Sequence, residues 1–368
     1  MQRDTDVFVI GGGPAGLAVA IAARQKGFRV TLADPVGPGA DKACGEGVMP
    51  EGVEALRELG VEVPAGEARP FCGIRFLDGG RVAEARFAKG QGLGIRRTTL
   101  HRVLVERAEA CGVQLLWRTK VSGISAEGVA LASGVVRTRW ICGADGGHSR
   151  VRRWLGLDRG AGRAPRYGTR RHFRVRAWSD CVEVYWGRES QLYVAPVGEE
   201  ELCIATISRV PGIRVEQALA VHPELAARLA GAGTASGERG GVTSSLRLRR
   251  VYRGRVALVG DASGSVDAIT GQGLSLAFQQ AHALAAAMEA GDLAQYQAAH
   301  GRIRRRPEMM ARLLLAMDGR PRLRARVLRI LSEEPHHFTR LLAAHTGAAS
   351  TMDCALGGLG FGWRLVTP

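Results

Sequence analysis

The sequence predicts an α/β fold: a parallel-sheet domain assembled from separate chain segments, a smaller antiparallel sheet inserted into it, and helices at the C-terminal end. Three observations predict it: a strand–helix–strand order at the start, a block of short alternating strands in the middle, and a buried strand that returns near residue 255 before helical sequence. Residues 6–11, "DVFVIG", read as a buried strand, and 14–26, "PAGLAVAIAARQK", as a helix that Gly27 ends. "FRVTLAD" (28–34) is the next strand, and two strands joined through a helix pair in parallel. "PEGVEALRELG" (50–60) is a short helix with proline at its start and glycine at its end. "GIRFLDGGRVAEARF" (73–87) reads as a hairpin around Asp78-Gly79-Gly80. Residues 97–112 form an amphipathic helix with Leu100, Leu104 and Ala108 four apart, followed by a strand at 113–117. "WICGADGG" (140–147) runs from a strand into a glycine turn. Four short runs within 168–208 read as an antiparallel meander, and 215–232 turns helical. "RVALVGDA" (255–262) restores a buried strand, and the chain from about Leu274 is mostly helical. The parallel-sheet domain is therefore assigned 1–65, 91–160 and 250–290, the inserted domain 66–90 and 161–249, and a C-terminal helical region 291–368.

Composition narrows the function. No run of about 20 apolar residues is present, so no membrane-spanning helix is expected. The N-terminus lacks the basic, apolar, small-residue order of a signal peptide, which makes the cytoplasm the expected location. The seven cysteines are scattered and form no C-x-x-C, so neither a disulfide framework nor a zinc site is expected. No metal cluster, serine triad or acid–base pair stands out. The net charge is +16, with only four lysines among 51 basic residues. Such an excess points to an anionic partner: a nucleotide cofactor, an acidic or carrier-bound substrate, or a membrane surface. Nucleic acid is disfavoured, because zinc-finger spacing, RNA-binding aromatic motifs and a basic zipper are all absent. Residues 302–331 are basic and amphipathic; they suit a membrane surface or an acyl carrier, although a solvated helix face is the commoner role. Oligomeric state is not legible.

Gly11-Gly12-Gly13-Pro14-Ala15-Gly16 fits G-x-G-x-x-G between a strand and a helix. In that setting Gly11 makes the tight turn, Gly13 lets a pyrophosphate approach the backbone, and Gly16 lets helix and strand pack closely. The helix N-terminal amides face the phosphate. Asp34, 18 residues after Gly16 at a strand end, suits ribose hydroxyls. The alternative is a glycine-rich turn without a ligand, and the full strand–turn–helix context favours the dinucleotide. Two more glycine turns follow strands: Asp145-Gly146-Gly147-His148-Ser149-Arg150-Val151-Arg152, and Gly260-Asp261-Ala262-Ser263-Gly264 leading to Thr270-Gly271-Gln272-Gly273-Leu274.

The three segments in this order resemble the para-hydroxybenzoate-hydroxylase-like FAD-dependent oxidoreductases, a superfamily of aromatic hydroxylases, halogenases and geranylgeranyl reductases. The resemblance runs across nearly the whole chain. It implies bound FAD in a Rossmann-like domain of the glutathione-reductase type, with the antiparallel insertion as substrate domain. It places Asp261 on the ribityl or ribose-side hydroxyls and the amides beside it, at Gly260, on the pyrophosphate. Arg97 matches an R-x-x-L position that contacts the cofactor. Gly271, Gln272 and Gly273 lie beside the isoalloxazine, where the helix from Leu274 stabilises negative charge on the reduced ring. Pro14, Ala15, Lys42, Cys44, Gly45 and Val121 complete the implied cofactor set. Asp145 and Arg152 either pair to brace their turn or touch the cofactor; His148 reads as a turn residue. No second G-x-G-x-x-G has strand–helix context, since "GGLGFG" (357–362) lies too near the end. NAD(P)H is thus expected as a transient reductant without a domain of its own.

The reaction divides the motifs. Hydroxylases of this superfamily typically read G-D-A-A-H followed by prolines, whereas Gly264 stands where that histidine would be. "GDASG", and "KACGEG" at 42–47, are more similar to geranylgeranyl reductases. Breadth of use within the superfamily ranks a monooxygenase first, hydroxylating a hydrophobic aromatic or polyketide-like molecule through a flavin C4a-hydroperoxide. Reduction of isoprenoid C=C bonds is the alternative, and a flavin-binding electron carrier without turnover is a third. Both reactions need a dry pocket over the flavin. Tyr185, Trp186, Tyr193 and Pro196 are candidates to line it, with core packing the competing role for the aromatics. Cys44 and Glu46 are the catalytic candidates: a small thiol beside the flavin and an acid able to relay a proton.

Overall fold

A computed structural model describes residues 4–158, 160–162 and 165–348; Cys354 and the glycine-rich segment 357–362 lie outside them. The parallel sheet holds six strands in the order Tyr252–Arg253, Val256–Leu258, Trp140–Gly143, Val7–Ile10, Val30–Asp34 and Gln114–Trp117. All neighbours run parallel except the edge hairpin of Tyr252–Arg253 with Val256–Leu258. Val7–Ile10 and Trp140–Gly143 are buried at every residue, as strands covered on both faces must be. Helix Pro14–Gln25 packs on one face of this sheet and against helix Gly273–Glu289. A Cβ on Gly16 would stand 1.8 Å from the Gly11 carbonyl oxygen, so that helix approaches the first turn as only glycine permits.

The larger sheet carries the insertion. Its main path runs Gly233–Thr234, Arg166–Arg174, Glu201–Ser208, Ser190–Gly198, Cys181–Trp186, Gly73–Asp78 and Arg81–Arg86, with Arg239–Thr243 also paired to Arg166–Arg174. The hairpin turns at Asp78 opposite Arg81. The strands within 166–208 do not form a simple meander: the first pairs with the fourth, which lies between it and the third. The alternating pattern predicts each strand but not its neighbour, because pairing order depends on contacts far apart in the chain. Gly73–Asp78 joins the insertion through a parallel pairing with Cys181–Trp186. One face of this sheet packs under helices Leu293–Gly319, Pro321–Glu333 and Pro335–Thr346. The other covers the short helices Val215–Leu219 and Pro223–Arg228.

A three-stranded sheet of Gly47–Val48, Gly92–Ile95 and Ala68–Phe71 links the two. Strands of two to four residues carry no periodic signal, and the sequence does not announce them. Gly94 brings this sheet against the large one: a Cβ there would lie 1.7 Å from the Pro196 carbonyl oxygen.

Candidate active site

The carboxyl ends of the parallel strands, the large sheet and the C-terminal helices enclose a cavity of about 1260 Å³. Ligands of open α/β sheets bind at such strand ends. At one end lies a glycine cradle. Gly11 has φ +111°, and a Cβ there would sit 2.5 Å from the Ala144 carbonyl oxygen. Gly13 opposes nothing within 4 Å, which leaves the space a pyrophosphate takes. Gly13 and Gln272 precede two long helices, and neither helix start has a side-chain cap. Amides without an intrahelical partner therefore face the same cavity from two directions.

Polar side chains around the cradle are held by the backbone. Asp34 Oδ2 accepts from the Gly12 N–H (2.6 Å) and Oδ1 from the Val36 N–H (2.8 Å). His101 Nε2 lies 2.8 Å from the Gly12 carbonyl, and Nδ1 accepts from the Gly39 N–H (3.3 Å). Burial lowers the pKa of His101 and favours the neutral ring that this pattern requires. Arg97 lines the cavity while almost fully buried, and its Nη1 lacks a protein partner. Its pKa is lowered by that burial. Asp261 opens onto the lumen yet is walled in by protein, which raises its carboxyl pKa against the pull of Arg304, Lys42 and Arg152. The uncapped amides, the orphaned guanidinium and the open glycine fit a bound dinucleotide.

The other two glycine turns are tied together. Asp145 accepts from Ser149 Oγ (2.5 Å) and from the amides of Arg150 (2.7 Å) and Val151 (3.1 Å). Arg152 donates to the carbonyls of Gly147 (2.7 Å) and Ala262 (3.2 Å) and to Asp158 (2.6 Å). Asp145 and Arg152 thus each brace a turn without pairing with one another, and both also line the cavity. Ser263 Oγ meets His300 Nε2 at 2.9 Å, and the Gly260 N–H donates to Gln280 (2.9 Å), which secures the third turn.

The loop 41–49 closes the middle of the cavity with Lys42, Cys44, Gly45, Glu46 and Gly47. Glu46 is its anchor. It is 1% exposed and holds a left-handed φ of 59°. Its carbonyl accepts from the Ile95 N–H (2.9 Å), Oε1 accepts from the Arg97 N–H (2.9 Å), and Oε2 from His172 Nε2 (2.5 Å). Arg170 Nε lies 3.6 Å away, and Arg170 also pairs with Asp41. Cys203 completes a group whose donor atoms lie within 4.8 Å of one another, but the Glu46–His172 bond and Arg170 already engage the carboxylate. Glu46 therefore ties the loop to the large sheet, and His172 leads from it to Ser236 Oγ (2.7 Å). Burial, reinforced by the Glu46 carboxylate, raises the Cys44 pKa, so the thiol stays protonated.

Gln272 stands behind the last glycine turn rather than on the cavity wall. Its Nε2 donates to Glu51 (2.7 Å) and lies 3.1 Å from His345 Nε2. Burial raises the Glu51 pKa and pulls that of His345 down to about 4. Gly271, Gly273, Leu274 and His345 face the lumen. Gly16 likewise supports the cradle from behind.

The far half of the cavity is apolar. Phe71, Val182, Val184 and Leu314 line it, together with Phe76 stacked on Phe338 (ring centroids 4.7 Å apart). Tyr193 lines it with its hydroxyl donated to the Ile269 carbonyl (3.0 Å). Tyr185, Trp186 and Pro196 do not line it. The alternation of the strand turns Tyr185 to the opposite face, where its hydroxyl donates to Glu183 (2.9 Å). Trp186 shares the face of Val182 and Val184 but packs edge-on to Phe76 in the core. Val121 and the remaining cofactor candidates, from Gly11 to Leu274, all line the cavity. His101, His172, His300 and His345 were not singled out from sequence, and only their partners reveal them.

The profile of the FAD binding domain family matches residues 4–196. A digeranylgeranylglycerophospholipid reductase of Methanosarcina mazei is 30% identical over 43% of this chain and 42% of its own length. The chain thus spans less than half of that relative. A 6-methylpretetramide 4-monooxygenase of Streptomyces rimosus is 29% identical over 83% of this chain and 81% of its own. Among solved structures, a flavoprotein/dehydrogenase from Cytophaga hutchinsonii superposes with a TM-score of 0.80 at 19% identity, covering 93% of each chain, a likeness of fold.

Proposed function

Because the chain belongs to the FAD binding domain family, and so is an FAD-dependent oxidoreductase, we propose that it is a monooxygenase: it takes reducing equivalents transiently from NAD(P)H and hydroxylates a hydrophobic aromatic or polyketide-like molecule. The observation that carries this reading is the apolar half of the cavity, where Phe71, Phe76, Val184 and Phe338 enclose space continuous with the glycine cradle. FAD, when bound, supplies hydride acceptance and oxygen activation. The chain supplies the rest. The N–H groups of Gly13, Ala15 and Gly16 and the Arg97 guanidinium hold the anionic part of the cofactor. The amides at the start of helix Gly273–Glu289 favour negative charge at the ring end. The apolar walls keep water from the reacting atoms.

Reduction of a C=C bond is the second reading. The protonated Cys44 thiol on the cavity wall favours it, because a reductase must deliver a proton to carbon. The test is turnover of apolar aromatic and polyprenyl substrates with NAD(P)H, in air and without oxygen, read by product mass. A product gaining one oxygen atom, formed only in air, supports the monooxygenase. A product gaining two hydrogens without oxygen, and lost in Cys44→Ala protein that still holds FAD, selects the reductase. Bound FAD with no substrate-stimulated NAD(P)H oxidation overturns both in favour of an electron carrier.

A further inference from the structure

Helix Leu293–Gly319 has two working faces. Met310, Leu313, Leu314 and Met317 line the apolar half of the cavity. An exposed flank, about a quarter turn round the helix from these, carries Arg302, Arg305, Arg306, Met309, Arg312 and, at its C-cap, Arg320. At 3.6 residues per turn these six fall on one stripe about 27 Å long. The helix has only two acids, and neither joins the stripe. Glu308 accepts from Arg304 (3.0 Å), and Asp318 is buried against Arg166 (2.8 Å). Among the described residues, none of the five stripe arginines forms an ion pair. Met309 is 54% exposed in the midst of them. A hollow of about 310 Å³ lies between Arg312, Leu315, Ala316, Gly319 and Arg320. Arg322 and Arg329 extend the exposed basic surface onto the next helix.

We propose that this stripe docks the protein on an anionic lipid surface, so that an apolar substrate passes from the bilayer to the cavity behind the same helix. The docking stands on the charge pattern; the passage of substrate rests on the hydrophobic substrate proposed above. Unpaired arginines along one helix answer a field of lipid phosphates, each worth roughly fivefold in affinity near such a surface. An exposed methionine among them suits the acyl boundary, and the hollow suits a headgroup. No helix of the described residues is long and apolar enough to cross the membrane, so attachment would be peripheral. A bilayer fits better than an acidic carrier protein because the basic surface continues across two helices.

The experiment is flotation of the FAD-loaded protein with phosphatidylcholine vesicles, with and without phosphatidylglycerol. The expected result is binding only to the anionic vesicles, released by salt. The triple variant Arg302→Gln, Arg305→Gln, Arg312→Gln should bind them about 100-fold more weakly, with its flavin spectrum and its turnover of detergent-dispersed substrate unchanged. Equal binding to neutral vesicles, unchanged binding by the variant, or capture by an acidic acyl carrier protein in place of vesicles overturns the proposal. Vesicle binding without any turnover would leave the docking intact and sink only the proposed reaction.

Discussion

Arg97 and Glu46 show how the site is wired at the level of single residues. Arg97 is buried with Nη1 unpartnered, a condition that costs about 1–3 kcal/mol until an acceptor arrives. An anionic cofactor is such an acceptor. Arg97→Ala should therefore weaken FAD binding about 10–100-fold, the worth of a hydrogen bond to a charged group. Flavin fluorescence on titration of FAD-stripped protein measures this, and an unchanged affinity would remove Arg97 from the cofactor site. Glu46 keeps an unfavourable backbone because the Ile95 amide, the Arg97 amide and His172 all converge on it. Sequence makes Glu46 conspicuous as an acid between glycines. It does not disclose His172, 126 residues away, whose role exists only once the large sheet folds against the loop.

At the scale of elements, the turn between strand and helix recurs three times, and each instance is legible because its glycines do work that other residues cannot. What supports those turns is less legible. Helix Pro50–Glu58 reads as an ordinary short helix, yet Gly52 lies against helix Gly273–Glu289 so closely that a Cβ would meet Ser275 Oγ at 2.4 Å. The same hydroxyl accepts from the Met49 N–H (3.2 Å). In an open helix Gly→Ala gains about 1 kcal/mol; here crowding costs about 1–3 kcal/mol. Gly52→Ala should therefore lower the thermal midpoint and disturb the loop that ends at Met49. A raised midpoint would mean that the two helices separate readily. The three-stranded linking sheet, and the order of strands in the large one, escape the sequence for a common reason: both are defined by partners, not by local pattern.

The whole molecule places several neutral histidines in dry surroundings. Burial lowers the His300 pKa to about 3 and that of His345 to about 4. Their unfolded values are near 6.5, so between about pH 6.5 and 4 the unfolded chain binds more protons than the folded one. Stability should fall as pH drops through that window and level off below it for His345, whose shift alone corresponds to about 3 kcal/mol. Thermal midpoints measured from pH 7 to 4 test this, and His345→Gln should flatten the slope; an identical slope in the variant would refute the assignment. One consequence of the segmented parallel sheet concerns time. Trp140–Gly143 pairs with Val256–Leu258 on one side, and every strand of the large sheet except Gly73–Asp78 and Arg81–Arg86 is synthesised between them. At about 5–20 residues per second on a ribosome, that edge waits several seconds or more for its partner. The glycine turn at Asp261 arrives later still, so the cofactor cannot be fully gripped by a nascent chain. FAD can seal this protein only once residues 260–274 have left the ribosome.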